Sequence, residues 1–235
     1  MTSTVSVSKL LRFLSGVLFF MFAVCLLSQI VGWTTGHWRF FGLTRLMDLG
    51  SDTAAPTWFN SFEWALVSLV CWVLSRHTGQ KNSVSGAGHW LFLSAISLVL
   101  SVDEVACMHE SLGRFLTGKF HTHGLFYYGF VLPGIILALG MFLIFVKFLM
   151  RLPKKTAWGM VLAGFLFVFG AAFLDGLAGA IAERHGENYW ACLLLSDFEE
   201  LFEMGSLILL LKVLLEYLRA LQKNHHFEWR LDVRA

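Results

Sequence analysis

The sequence predicts an all-α integral membrane protein, a single domain built as a bundle of six transmembrane helices with both termini in the cytoplasm. Of its 235 residues, 57% are hydrophobic and only 14% are charged, whereas soluble domains carry roughly 25% charged residues. Six separate stretches reach the length of about 20 mostly apolar residues that a spanning helix needs. Basic residues also collect on alternate connectors, which is the pattern that orients membrane helices.

The first apolar stretch begins close to the N-terminus and resembles a signal peptide, because Lys9 and Arg12 precede it. It continues from Phe13 to about Trp38 without a charge. That length exceeds the roughly 7–15 residues of a signal-peptide core, and no clear small-residue cleavage site follows. We therefore expect a retained first helix over residues 9–31.

Five further helices are predicted along the chain. They cover residues 58–74, 89–110, 125–150, 157–182 and 190–218, and residues 219–235 are predicted to form a short cytoplasmic tail. Glycine and proline mark the connectors, as is typical of turns. Pro133 lies inside the fourth helix, where a kink is tolerated in a membrane bundle. No secondary structure is predicted for the long connector over residues 32–57.

The distribution of Lys and Arg predicts the orientation. With a cytoplasmic N-terminus, thirteen of the eighteen basic residues fall on the cytoplasmic side and five on the other. This asymmetry favours cytoplasmic N- and C-termini under the positive-inside rule. Short connectors and the small size of the chain favour the cytoplasmic (inner) membrane of a bacterial-type cell, with the lipid bilayer as the main partner.

Composition excludes two other classes of protein. The four cysteines, Cys25, Cys71, Cys107 and Cys192, each lie inside an apolar segment and form no CxxC pair, so we expect no structural disulfides. The net charge is only +2, and a nucleic-acid-binding domain would show a stronger basic footprint.

Acidic residues inside the predicted helices are the most informative feature, because a charge in the hydrocarbon region costs a few kcal/mol or more and marks a functional site by default. They are Glu63 in the second helix, Asp103, Glu104 and Glu110 in the third, Asp175 and Glu183 in the fifth, and Asp197, Glu199, Glu200 and Glu203 in the sixth. In the predicted topology they lie near the outer ends of their helices; Asp103 and Asp175 sit roughly 10 Å below them at 1.5 Å per residue.

Helical spacing predicts which acids share a face. Asp103 and Glu110 fall on one stripe of the third helix, and Asp197, Glu200 and Glu203 fall on a stripe of the sixth. So many like charges cannot all ionise in a low-dielectric site unless a cation or protons balance them. Carboxylates with an imidazole suit Zn, Mn or Fe, and di-iron proteins build such sites between facing helices.

A divalent-metal site, with Zn, Fe and Mn not distinguished, is therefore predicted. Its candidate ligands are Asp103, His109, Glu110, Asp175, Glu200 and Glu203. His109, Glu104 and Glu199 are the candidate catalytic groups, as proton shuttle, general base or support for the ligands. Neither an ExxH nor an HExxH motif occurs in the sequence. His121 and His123 in the following connector are weaker candidates for the same site.

Three functions remain open from the residues alone. The first is a metal-dependent membrane enzyme that oxidises or hydrolyses a lipid-like substrate, with a redox metal favouring oxidation and zinc favouring hydrolysis. The second is a proton- or cation-coupled transporter, or a subunit of one, in which the same carboxylates titrate. The third is a non-catalytic scaffold or assembly factor, in which the acids satisfy one another.

Overall fold

The computed structural model describes residues 6–36, 42–51, 53–79 and 86–223, and within these ranges it contains helices and no strand. The helices are α1 (Val7–Thr35), α2 (Leu43–Leu46), α3 (Ala55–Gly79), α4 (Ala87–Ala106), α5 (Met108–Phe120), α6 (Val131–Leu149), α7 (Lys154–Val168), α8 (Asp175–His185) and α9 (Trp190–Lys223). A 3₁₀ turn (Gly124–Phe126) precedes α6, and a π-helix (Phe169–Leu174) joins α7 to α8. The all-helical class is confirmed.

Five helical stretches are long and apolar enough to cross a membrane. They are Val7–Thr35, Ala55–Thr78, Ala87–Ala106, Val131–Leu149 and Lys154–His185. They correspond to the first five predicted helices, and the fifth contains α7, the π-helix and α8 as one continuous rod. The sixth predicted helix is α9, which is 34 residues long but carries too many charges to join the apolar set.

Several helix boundaries differ from the prediction by a few residues. Helix α6 begins at Val131 rather than residue 125, so Pro133 lies in the first turn, where proline interrupts no helical hydrogen bond and needs no kink. Helix α9 continues to Lys223, five residues beyond the predicted end. The predicted tail beyond that point, residues 224–235, lies outside the described residues, as do residues 37–41 of the long connector.

The third predicted helix is wrong as a single helix, because it breaks at Cys107. That residue has a φ of 51°, a left-handed conformation that ends α4 and starts α5. Glycine dominates the left-handed region, so a cysteine there needs support from its surroundings. The carboxylate of Asp103 supplies it by accepting the backbone N–H of His109 at 2.9 Å. The predicted single stripe through Asp103 and Glu110 therefore does not form.

Helices α3 and α4 form an antiparallel hairpin held by paired serines. The hydroxyl of Ser68 donates to the backbone carbonyl of Ser94 at 2.8 Å, and Ser94 donates back to Ser68 at 2.9 Å. Ser61 and Ser101 repeat the exchange one heptad away, at 2.7 and 2.8 Å. Small side chains allow close approach of helices where no hydrophobic effect drives them together, and hydroxyl hydrogen bonds add to the packing.

Helix α9 lies at the centre of the bundle. Met204, Leu207, Leu211 and Leu214 are at most 1% exposed, and α9 contacts α1, α3, α7 and α8. At Gly159 a Cβ would lie 2.5 Å from a methyl group of Val213, so the missing side chain lets α7 approach closely. We call the end of the bundle where α4 and α8 end and α3 and α9 begin the acidic end.

Candidate functional site

Helix α9 brings two glutamates to the interior of the acidic end. Glu199 interacts electrostatically with Asp175 on α8 and with Glu104 on α4. Glu203, one turn further along, interacts with the same two carboxyls and with Glu200. Acids from three helices therefore meet in one region. We call Glu104, His109, Glu110, Asp175, Glu199, Glu200 and Glu203 the acidic cluster.

The π-helix between α7 and α8 positions Asp175 for this contact. Asp175 is the first residue after the widened turn and is only 5% exposed, and its carboxyl reaches that of Glu199. At Gly170, within the π-helix, a Cβ would lie 2.9 Å from the carbonyl oxygen of Glu199. Any larger residue would push α9 away. π-bulges often occur at functional sites because they rotate a side chain without ending the helix.

His109 joins the acidic cluster from the start of α5. Its Nδ1 atom lies 2.7 Å from Oδ2 of Asp103, and its ring packs edge-on against Phe130 with centroids 5.1 Å apart. The ring interacts electrostatically with Glu104 and Glu110 and also with Asp175. Asp103 thus orients the imidazole and leaves Nε2 for a second partner.

Several buried polar atoms beside the acidic cluster lack a well-formed hydrogen bond. Both side-chain polar atoms of Asn60 and both carboxyl oxygens of Glu63 lack one, and each residue is 0% exposed. Oδ2 of Asp175 and Nε1 of Trp64 are also buried without a well-formed hydrogen bond. Buried polar groups are nearly always satisfied, so unsatisfied ones indicate a bound water, ion or ligand.

These atoms border the acidic cluster rather than lying at random. Asn60 faces Glu203, and Trp64 faces Glu104, within hydrogen-bonding range, although neither contact has the geometry of a well-formed hydrogen bond. Glu63 follows Asn60 by three residues, so it lies on the same face of α3 and one turn deeper. Asn60 and Trp64 were not predicted from the sequence, because neither side chain carries a charge. Asn60 was detectable there as an amide within a predicted apolar span.

Two acids predicted near the site serve other partners. Asp197, expected on one stripe with Glu200 and Glu203, faces α1, where it accepts a hydrogen bond from Nε2 of Gln29 at 2.8 Å and one from Sγ of Cys25 at 3.3 Å. The stripe assignment is therefore wrong for Asp197.

Glu183 instead closes the turn before α6. Its carboxylate lies 2.7 Å from Nδ1 of His123 and accepts the backbone N–H of Gly124 at 2.7 Å. His123 is thereby engaged at the end of α8. His121 ends α5 with a φ of 49°. These contacts give no support to His121 or His123 as a ligand of the predicted metal site.

The predicted ligand set stays a prediction at this point. Asp103 directs both carboxyl oxygens to His109, whereas His109, Glu110, Asp175, Glu200 and Glu203 belong to the acidic cluster. Across the described ranges, no group of three or more His, Cys, Asp or Glu side chains is already arranged to hold a metal ion. The two predicted general bases, Glu104 and Glu199, both lie in the cluster.

Fold and site together define a class: an all-helical protein with membrane-spanning potential and a carboxylate cluster enclosed between its helices. The chain belongs to the family described as a domain of unknown function, DUF8692, whose model matches residues 10–217. The match covers the whole acidic cluster and every helix that supplies it. No curated protein and no solved structure matches the chain.

Proposed function

We propose that α9 is a sixth transmembrane helix and that both termini lie in the cytoplasm, with the acidic end at the outer face of the inner membrane. At 1.5 Å per residue, the 34 residues of α9 extend about 50 Å, well beyond the roughly 30 Å hydrocarbon core. Its acids face other helices, and intramembrane charges are tolerated there rather than against lipid. The excess of basic residues at the opposite end supports the orientation.

We further propose that the acidic cluster binds a divalent metal ion and that the protein is a membrane enzyme acting on a lipid-like substrate. The crowding of carboxyls from three helices carries this proposal, because so many like charges in one buried region need a countercharge. The Asn60 and Asp175 atoms that lack a well-formed hydrogen bond beside them support it, because such atoms indicate room for a further polar partner. Carboxylates with one imidazole suit Zn, Fe or Mn.

The pairing of His109 with Asp103 gives this proposal its second support. Metal-binding histidines usually donate their other ring N–H to a carboxylate, which fixes the tautomer and raises the basicity of the ligand. His109, Glu110, Asp175, Glu200 and Glu203 are the proposed ligands, and rotation about side-chain bonds would bring the longer ones together without moving α9. Glu104 and Glu199 are then placed to accept a proton from a metal-bound water or from the substrate.

Metal analysis of the purified protein tests the premise. We expect stoichiometric Zn, Fe or Mn after purification in detergent without chelator, and a loss of most of it in His109→Ala and in Asp175→Asn. Glu216→Gln is the matched control, because Glu216 pairs with Lys155 at 2.7 Å far from the cluster. Protein that is metal-free and takes up none of the three ions on titration would overturn the proposal.

One observation favours the second candidate, a proton- or cation-coupled transporter. Asp175 and Glu199 are close enough for a carboxyl–carboxyl hydrogen bond, and such a bond requires a proton on one partner. Under this candidate, metal-free protein in proteoliposomes would carry a pH-dependent flux that Asp175→Asn abolishes. Stoichiometric metal in the purified protein, together with no such flux, would favour the metal-dependent enzyme over the transporter.

A further inference from the structure

A cavity of about 340 Å³ lies between α7 and α9 beside the acidic cluster, and it is open to the outside of the bundle. Leu166, Leu201, Phe202, Gly205 and Ser206 line it. Gly205 keeps it open, because a Cβ there would meet only a methyl group of Leu18, at 4.0 Å. The volume falls in the range of about 300–1,000 Å³ that small-molecule sites occupy, and none of the five lining residues is charged.

The cavity is continuous with the cluster along α9. Ser206 donates a hydrogen bond to the backbone carbonyl of Glu203 at 2.7 Å, and Phe202 packs edge-on against Phe169 with centroids 5.1 Å apart. Phe169 begins the π-helix that leads to Asp175. A molecule in the cavity therefore has one end within a helical turn of the carboxyls.

Depth in the membrane limits what can occupy this cavity. Leu166 lies twelve residues into α7 and Gly205 lies fifteen residues into α9, which corresponds to about 18 Å and 22 Å along the two helices. Both positions fall near the middle of a hydrocarbon core of roughly 30 Å. At that depth the surrounding medium is acyl chain, and a cavity without charge offers no binding to a polar ligand.

We infer that the cavity holds the hydrocarbon tail of a membrane amphiphile from the outer leaflet, with the polar end of the molecule beside the acidic cluster. This inference rests on the proposed function for its orientation. Gly205 follows Glu203 by two residues on α9, so this part of the lining lies about 3 Å deeper than Glu203, and a chain in the cavity keeps its polar end beside the cluster. The cavity thus selects a substrate with a long apolar chain, and the cluster acts on its polar end.

Photolabelling in nanodiscs tests this inference. The probe is a phosphatidylglycerol with a diazirine at the end of one acyl chain, diluted into phosphatidylethanolamine and phosphatidylglycerol. We expect peptides containing Leu166 and residues 201–206 to be labelled several-fold more than the open face of α6, where Leu139 and Leu143 are 59% and 71% exposed. Equal labelling of the two surfaces would overturn the inference.

Two glycine variants localise the label. Gly205→Phe fills the cavity, so labelling there should fall several-fold while α6 labelling stays unchanged. Gly164→Phe is the matched control, because Gly164 has open space around its Cβ position on the exposed face of α7. Thermal melting of both variants verifies that they fold, and Leu166→Trp replaces Gly205→Phe if that variant does not. Cavity labelling that survives filling would contradict the inference.

The same experiment separates this inference from the proposed metal site. Asp175→Asn should lose metal and keep the selective cavity label, because the tail contacts α7 and α9 rather than the carboxyls. Selective labelling of a protein that never binds metal would refute the metal enzyme alone. Stoichiometric metal without selective labelling would refute the tail site alone.

Discussion

Two aspartates illustrate how single residues within this bundle acquire partners other than the acidic cluster. Asp103 binds the ring and the backbone N–H of His109, and Asp197 binds Gln29 and Cys25 on α1. A buried carboxylate is costly unless donors surround it. Each aspartate therefore holds two segments together, α4 to α5 in one case and α1 to α9 in the other.

Asp48, in the connector between α2 and α3, provides a test at the residue scale. Burial raises its pKa, and a backbone hydrogen bond from Gly50 opposes the rise only in part. Because the folded-state pKa lies above the unfolded value, the charged form is disfavoured in the fold. The stability penalty is absent below the unfolded pKa and is complete above the folded one.

Asp48→Asn should therefore raise the melting temperature at about pH 8 by a few degrees and change it much less at about pH 4. Asn keeps an oxygen that can accept the Gly50 hydrogen bond while it removes the charge. Thermal unfolding in detergent at both pH values measures the difference. Glu187→Gln, at an exposed position in the α8–α9 turn, should show no such pH-dependent gain. A variant less stable than wild type at the higher pH would contradict the assignment.

At the scale of elements, two helix pairings control the geometry of the site. The α3–α4 hairpin sets the positions of Asn60 and Glu104, and its serine exchanges recur at heptad spacing. The α7–α8 rod sets Asp175, and its π-helix packs Gly170 against the backbone of Glu199. Both pairings depend on small residues at the interface, which is the usual means of close helix approach in membranes.

The double variant Ser68→Ala with Ser94→Ala tests the hairpin. It removes two interhelical hydrogen bonds and leaves no unsatisfied group, because the accepting carbonyls already take part in their own helices. We expect a loss of about 1 to 4 kcal/mol in unfolding free energy, since each of the two hydroxyl bonds contributes about 0.6 to 2 kcal/mol between membrane helices. Unfolding of purified protein in mixed micelles measures it.

Ser111→Ala supplies the control for that measurement. The hydroxyl of Ser111 is exposed and bonds within its own segment, to the carbonyl of Cys107 at 2.8 Å. Its removal should change the unfolding free energy by much less. A double variant as stable as wild type would show that the hydrogen bonds between the serines do not stabilise the packing of α3 against α4.

At the scale of the whole molecule, α9 explains how an acidic helix belongs inside a hydrophobic bundle. Helices α1, α3, α7 and α8 pack around it, so its leucines form the core while its glutamates meet acids from α4 and α8. A helix of this composition facing lipid would expose charge to hydrocarbon at a cost of several kcal/mol per group. The bundle supplies the polar environment that the bilayer does not.

Cysteine accessibility tests the proposed topology. In a Cys107→Ser background, Glu187→Cys should react with an impermeant maleimide from outside intact cells. Lys154→Cys, at the other end of the α7–α8 rod, should react only after the membrane is opened. Both positions are exposed, so local burial does not limit labelling. The reverse pattern would invert the orientation, and labelling of both from one side would mean that this rod does not cross the membrane.

Much of the fold was predictable because apolar length is a property of a single segment. The five stretches that are long and apolar enough to cross a membrane overlap predicted helices, since an apolar run and the hydrogen-bonding demand of its backbone favour a helix without reference to neighbours. The break at Cys107 was not predictable in this way, because no glycine or proline marks it in the sequence. The carboxylate of Asp103 supports the break by accepting a hydrogen bond from the backbone N–H of His109.

Taken alone, the amino-acid sequence determined that the chain forms long apolar helices and that most of its intramembrane acids lie towards one end of them. Tertiary structure decided which acids meet. Glu199 and Glu203 each interact with Glu104 and Asp175, whereas Asp197 faces α1. The physical reason is that transfer of a segment into lipid depends on its composition, whereas the partner of a side chain depends on the rotation of each helix against its neighbours.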